Sequence, residues 1–173
     1  MATDTRTGTR AAIAPTATAP AVSLWLKNQA GRRGVPLRRS FEKWMAAIPE
    51  LRGRRHRTEV NILIVGVAAA RRFNRDFRGR DYATNVLSFP YAAAPGEPGG
   101  LLGDLVICAP VVAREARAQH KPPRDHFAHL TIHGVLHLLG HDHESARDAG
   151  RMEALERRVL ATVGIADPYA PRD

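Results

Sequence analysis

The eleven residues His133-Gly134-Val135-Leu136-His137-Leu138-Leu139-Gly140-His141-Asp142-His143 constrain this chain more than any other stretch. Two histidines four apart in an apolar run share one face of a helix. Gly140 then supplies a stop, because glycine takes the left-handed backbone conformation that a helix C-terminus needs. Beyond the stop, His141, Asp142 and His143 can fold back toward the face that carries His133 and His137. Read as H-x-x-x-H-x-x-G-x-x-H, the segment brings three imidazoles to one point. Three protein ligands, with a fourth position left for water, make a catalytic zinc arrangement.

Seven of the eight histidines lie between His120 and His143, so the ligand set has to be argued. His129, His133 and His137 form a stripe whose ends lie about 12 Å apart along a helix axis. One ion with bonds of about 2.1 Å cannot reach both ends. His133 and His137 are one turn apart and can share it. The third ligand then comes from after the Gly140 turn, His141 or His143, and the two-residue gap before His143 favours His143. His141 becomes a rim residue able to shuttle protons. Asp142 is either an acceptor that fixes an imidazole tautomer or a plain turn residue. An all-imidazole set leaves the ion its full charge and lowers the pKa of bound water toward roughly 7.

The same spacing occurs in metzincin proteases, with one departure. Those enzymes need H-E-x-x-H, the glutamate serving as general base, and this chain has Gly134 there. Gly134 counts against peptide hydrolysis by that route, while attack on a phosphodiester or another polarised ester fits the metal set.

The formal charge of +9 favours a polyanionic partner such as nucleic acid. Its cations are 23 arginines and 3 lysines. A phosphoryl-transfer site needs such a cation where oxyanion charge develops, and the arginine fork matches phosphate oxygens. Arg71, Arg72, Arg75, Arg78 and Arg80 all precede the segment at Thr84, and composition does not choose among them. Cys108, the one cysteine, cannot form an internal disulfide and sits in the apolar run Leu105-Val106-Ile107-Cys108, as a buried thiol would. No apolar run approaches the roughly 18 residues of a membrane span, and no apolar segment of a secretory signal is present. These features point to the cytoplasm.

Residues 1–20, rich in Thr, Ala and Pro, read as a disordered tail, residues 21–165 as one domain and 166–173 as a C-terminal tail. Strands are expected at 21–27, 60–67, 84–90 and 103–109. Helices are expected at 37–48, with Pro36 in the first turn and Pro49 at the end, at 68–77, stopped near Gly79, and at 111–120. A further helix, 126–139, capped by Asp125, carries the histidines, and a last one runs from a Ser145 cap to about Val163 with Met152, Leu155, Val159 and Leu160 inward. The basic loop 52–57 and the Gly/Pro-rich loop 91–100 connect elements. The class is therefore α/β (α+β): one compact domain, one mixed sheet of about four strands packed with helices, and a metal site at a helix end. Phe41 and Trp44 belong to its core.

Two blocks give the chain a family resemblance. One is H-G-x-L-H-L-x-G-x-D-H, met in full by His133 to His143. The other is N-x-x-[FY]-R followed by T-N-V-L-S-F-P, met by Asn74, Phe77, Arg78 and Thr84 to Pro90. Gly103-Asp104 also fits. Over about residues 21–163 the chain resembles the YbeY family of bacterial rRNA-maturation endoribonucleases. The resemblance implies a compact α/β fold with a metal in a cleft. It makes His133, His137 and His143 the ligands of one Zn²⁺ ion, and Arg78 and His137 the catalytic residues. It implies single-strand-specific RNA cleavage, maturation of the 3′ end of 16S rRNA in the small subunit, and a part in ribosome biogenesis and quality control. Partners would be single-stranded RNA and ribosome-associated factors, with no DNA and no membrane. The rival readings are another zinc hydrolase, or a ribosome-assembly RNA-binding factor whose zinc is structural.

Overall fold

The branched run from Thr58 to Val65 forms β2, and the sheet grows outward from it. The computed structural model describes residues 22–52, 58–92, 100–141 and 145–170. β1 (Val22–Asn28) pairs in parallel with β2 (Thr58–Val65), and β2 in parallel with β4 (Leu101–Cys108). β3 (Val86–Pro90) runs antiparallel along the other side of β4, so the order is β1-β2-β4-β3 in one mixed sheet of four strands. Successive side chains of a strand point to opposite faces. Val60, Ile62 and Ile64 of β2 and Leu105 and Ile107 of β4 enter one buried cluster, and Val65, Val106 and Cys108 enter the other. The larger cluster takes in α1 (Arg38–Ala46), α4 (Pro123–Leu138) and α5 (Ala146–Thr162). The smaller one is closed by α2 (Val67–Arg78) through Ala70 and Phe73. α3 (Ala109–Ala118) joins both, Val111 on one side and Val112 on the other.

Phe41 and Trp44 are fully buried, and Phe41 meets the rings of Trp44 and Phe127 edge to face at 5.1 and 6.2 Å. Cys108 is buried, and burial pushes its thiol pKa up. Helix α4 is buried almost all the way round, through Phe127, Leu130, Ile132, Val135, Leu136 and Leu138 among others. A helix apolar on nearly every side belongs to the interior. Only a narrow stripe, with half-buried His129, His133 and His137, looks outward.

Gly134 shows why that stripe has no glutamate. A Cβ there would come within 2.8 Å of Leu105 Cδ2 and 3.3 Å of Ser88 Oγ. The helix lies on β4 at this point, so a long side chain has no room. At the far end Gly140 adopts φ +91°, with its amide on the His137 carbonyl (3.0 Å) and the His141 amide on the Leu136 carbonyl (3.0 Å). These two bonds form a Schellman stop.

Element ends differ from expectation in a few places. Pro122, not Asp125, occupies the α4 N-cap, and Asp125 lies in the first turn, where its charge suits the helix dipole. Pro36 falls outside α1, whose N-cap is Leu37, and Pro49 opens a separate 3₁₀ turn, Pro49–Leu51. β3 begins at Val86 because Asn85 turns its side chain back to accept the Val86 amide at 2.7 Å. Ser145 does cap α5, accepting from the Asp148 amide at 3.1 Å. The tail at 1–20, most of the basic loop at 52–57, most of the 91–100 loop, and Asp142 and His143 lie outside the described residues.

Gly103 pairs with Pro90 at the entry of β4 and has φ +148°. A Cβ there would collide with the Phe89 carbonyl oxygen and lie 3.0 Å from the Pro90 Cα. Gly103→Ala is therefore expected to cost about 2–4 kcal/mol, from backbone strain and overpacking together. A urea midpoint lowered at constant slope would register it, and an unchanged midpoint would refute it.

Candidate active site

The outward stripe of α4 faces β3 and the turn that follows α2 across a cleft of about 690 Å³. His133, His137 and His141 line one side, and Arg78, Arg80 and Ser88 line the other. The two sequence blocks, far apart along the chain, thus share one cavity.

The imidazole geometry is set from behind. His133 Nδ1 lies 2.7 Å from Glu156 Oε1, so Nδ1 donates to the carboxylate and Nε2 is turned toward the cleft. His133 Nε2 and His137 Nε2 stand 3.2 Å apart, their rings at 77° with centroids 4.6 Å apart. Two nitrogens bound to one tetrahedral ion with bonds of about 2.1 Å would be separated by roughly 3.4 Å. This pair fits such an ion with little movement. His129 does not point there: its Nε2 lies 3.3 Å from Glu156 Oε2 and 3.2 Å from the Tyr169 hydroxyl. The stripe of three histidines is split, as its length requires.

Glu156 was missed in the sequence. It has no exposed surface, and it accepts from His129, His133 and the Tyr169 hydroxyl. Burial alone would raise its pKa, but the three hydrogen bonds outweigh burial and hold the carboxyl well below the usual glutamate range. Burial and the adjacent Glu156 carboxylate push the Tyr169 phenol up. A signal was present: Glu156 falls among Met152, Leu155, Val159 and Leu160 on the inward face of α5. An acid on an apolar face needs a buried partner.

His129, His133 and Glu156 hold ligand-type atoms within 4.8 Å of one another and could bind a metal ion. Their 2.7 Å contact is a hydrogen-bond length, shorter than the roughly 3.3 Å between two ligands of one tetrahedral ion. It fits a carboxylate that orients an imidazole better than one that binds metal beside it.

Among the arginines before Thr84, Arg71 bonds Asp81 at 2.7 Å and Arg75 bonds Asp76 at 3.2 Å. Arg78 instead reaches across to β3, its Nη2 donating to the Ser88 carbonyl at 3.2 Å. Asn74, 2% exposed, donates to the Tyr82 carbonyl at 2.8 Å and ties α2 to the segment that walls the cleft. His141 lines the rim, its Nε2 3.8 Å from Glu50 Oε1. His126 is a core histidine. Its Nε2 lies 2.7 Å from Glu115, which also accepts from Asn85, and burial pushes its pKa down.

With this geometry in view, residues 26–164 match the family described as Endoribonuclease YbeY. The chain belongs to that family. An Endoribonuclease YbeY of Alkalilimnicola ehrlichii is 55% identical over 154 residues, covering 87% of this chain and 93% of the relative. One from Bordetella avium is 63% identical over 115 residues, 66% of this chain and 70% of the relative. The solution structure of a Thermotoga maritima protein shares the fold at TM-score 0.54 and 23% identity, covering 86% of this chain and all of that one. No helix among the described residues is long and apolar enough to cross a membrane.

Glu156 gives the stability a pH signature. Its pKa is lower folded than unfolded, so its contribution is complete above the ordinary glutamate value of 4.5 and is lost as pH falls below it. Glu156→Gln should cost about 1–3 kcal/mol at neutral pH and flatten the loss of stability in acid. Urea midpoints from pH 7 to pH 3 measure both, and parallel curves for the two proteins would contradict the assignment.

Proposed function

We propose that the chain is a single-strand-specific, zinc-dependent endoribonuclease that acts in 3′-end maturation of 16S rRNA and in ribosome biogenesis and quality control in the cytoplasm. Membership of an endoribonuclease family supports the RNA substrate. The observation that carries the mechanism is the pair of imidazole nitrogens 3.2 Å apart, across one cleft from Arg78.

In this reading His133, His137 and His143 hold one Zn²⁺, an ion suited to an all-imidazole set. When bound, zinc supplies a Lewis acid that ionises water near neutral pH and polarises a phosphate oxygen. The protein groups do the rest. Glu156 holds His133 with Nε2 toward the cleft and strengthens it as a donor. Arg78, braced on the Ser88 carbonyl, offers its fork to the non-bridging phosphate oxygens and neutralises the charge that develops there. In this reading His141, which lines the cleft, carries a proton between solvent and the reacting water. Hydrolysis breaks one P–O bond of the RNA backbone, water supplies the new oxygen on phosphorus, and the leaving alkoxide oxygen takes a proton from that water and becomes a hydroxyl.

Arg78→Ala should lower kcat about 10²- to 10³-fold while bound metal stays stoichiometric, the size expected for one lost charge-stabilising donor. Steady-state cleavage of a single-stranded RNA beside metal analysis tests this, and unaltered kcat would remove Arg78 from the mechanism. His143→Ala separates catalysis from a structural zinc. The variant should melt near the native temperature, lose metal and lose cleavage. Collapse of the thermal transition would instead favour an assembly factor whose zinc holds the fold.

A further inference from the structure

The described residues leave six large hydrophobic side chains exposed, and three of them, Phe77, Tyr82 and Tyr91, fall between positions 77 and 91, of which Tyr82 lines the cleft. Arginines 72, 75, 78 and 80 are interleaved with the first two. Lone exposed aromatics are ordinary on protein surfaces. These are concentrated, and two of them are held in place. Tyr82 lines the cleft with half its surface exposed, its carbonyl fixed by buried Asn74 and its hydroxyl accepting from Arg80 at 3.2 Å. Phe77 is 63% exposed although Phe73 stacks on it at 6.1 Å and Phe89 abuts it edge-on at 5.0 Å. A ring fixed at its edge and backbone, but open on a face, suits a flat apolar ligand. Arg78 and Arg80, which line the same cleft, specify that the ligand also carries anionic groups. Single-stranded nucleic acid has both features, and aromatic rings between basic side chains are how it is bound.

We propose that Tyr82 anchors a base-stacking track for single-stranded RNA crossing the cleft, and that this track is the physical origin of strand selectivity. The inference rests on the endoribonuclease reading above and adds to it the residues that choose the strand state. The bases of a duplex are stacked on each other and paired, so their faces cannot reach Tyr82. An unpaired strand can turn a base onto the ring while Arg78 holds the adjoining phosphate. Charge draws in any polyanion, and the rings admit only one with free bases.

The test uses the full metal-loaded chain and three probes: a labelled 12-nucleotide single-stranded RNA, the same strand annealed to its complement, and inorganic polyphosphate. Stopped-flow anisotropy reads affinity before cleavage sets in, at several salt concentrations. Tyr82→Ala should weaken single-strand binding by about fivefold to a hundredfold, the range for loss of one stacked base, with the salt slope unchanged. Duplex and polyphosphate affinities should stay as in the native protein, so selectivity falls. Tyr82→Phe keeps the ring and should bind like the native protein. The track is overturned if Tyr82→Ala binds single strands normally, or if all three probes weaken together. If the native chain neither binds nor cleaves single-stranded RNA, the underlying reading fails with it. If the native chain does both and Tyr82→Ala matches it, only the track fails.

Discussion

The close approach of α4 to β4 at Gly134 is the constraint from which the rest of the site follows. The helix rests on the sheet so tightly there that a Cβ would meet Leu105. This contact orients the helix about its axis. Once Gly134 faces the strand, His133 and His137 must emerge on the neighbouring side, where β3 and the segment after α2 leave a cleft. The same contact removes the position at which a metalloprotease keeps its general base. The glycine that first reads as a missing catalytic group is the packing residue that places the other groups.

A second constraint is electrostatic. Glu156 is a carboxylate with no exposed surface, tolerable only because three donors converge on it. Two donors are imidazoles of α4, and the third is the hydroxyl of Tyr169, close to the C-terminus. Arg157, one residue along α5, pairs with Asp167 and lies over the Tyr169 ring. Asp167 and Tyr169 are therefore packed behind the histidines. They complete the environment that decides which nitrogen of His133 faces the cleft. Strain or loss at these residues would reach the cleft through Glu156, although neither lines the cavity.

Much of this was legible in the sequence because local rules carried it. The central strand β2 is a branched run, the Gly140 stop needs a residue tolerant of positive φ, and Ser145 is a good cap, so propensity and packing agreed. The division of the histidine stripe was legible from helix rise alone, since His129 and His137 are too far apart for one ion. Distant partners were not legible by such rules. Nothing local to Glu156 says that it meets His133, 23 positions earlier, because that pairing is made by α5 crossing α4. Only its misfit on an apolar face hinted at a partner. The choice among the arginines was likewise tertiary: Arg71 and Arg75 spend their charge on neighbouring carboxylates, while Arg78 is turned across the edge strand. Family resemblance named Arg78 where composition could not, and in the structure Arg78 lines the cleft with its Nη2 on the Ser88 carbonyl.

The two walls of the cleft then divide the work. The α4 wall is rigid, buried and assembled from the core outward, as a site for a small ion must be, because ligand nitrogens tolerate only tenths of an ångström. The opposite wall is solvent-exposed and built from long side chains on a helix end and an edge strand. Its arginines can follow a flexible polyanion, and its rings can accept bases without a fixed register. Precision is needed at one phosphate and tolerance along the rest of the strand. A fold that buries one wall and exposes the other meets both needs, and the 3.2 Å bond from Arg78 to the Ser88 carbonyl is where the helix end of the tolerant wall is fixed to its edge strand.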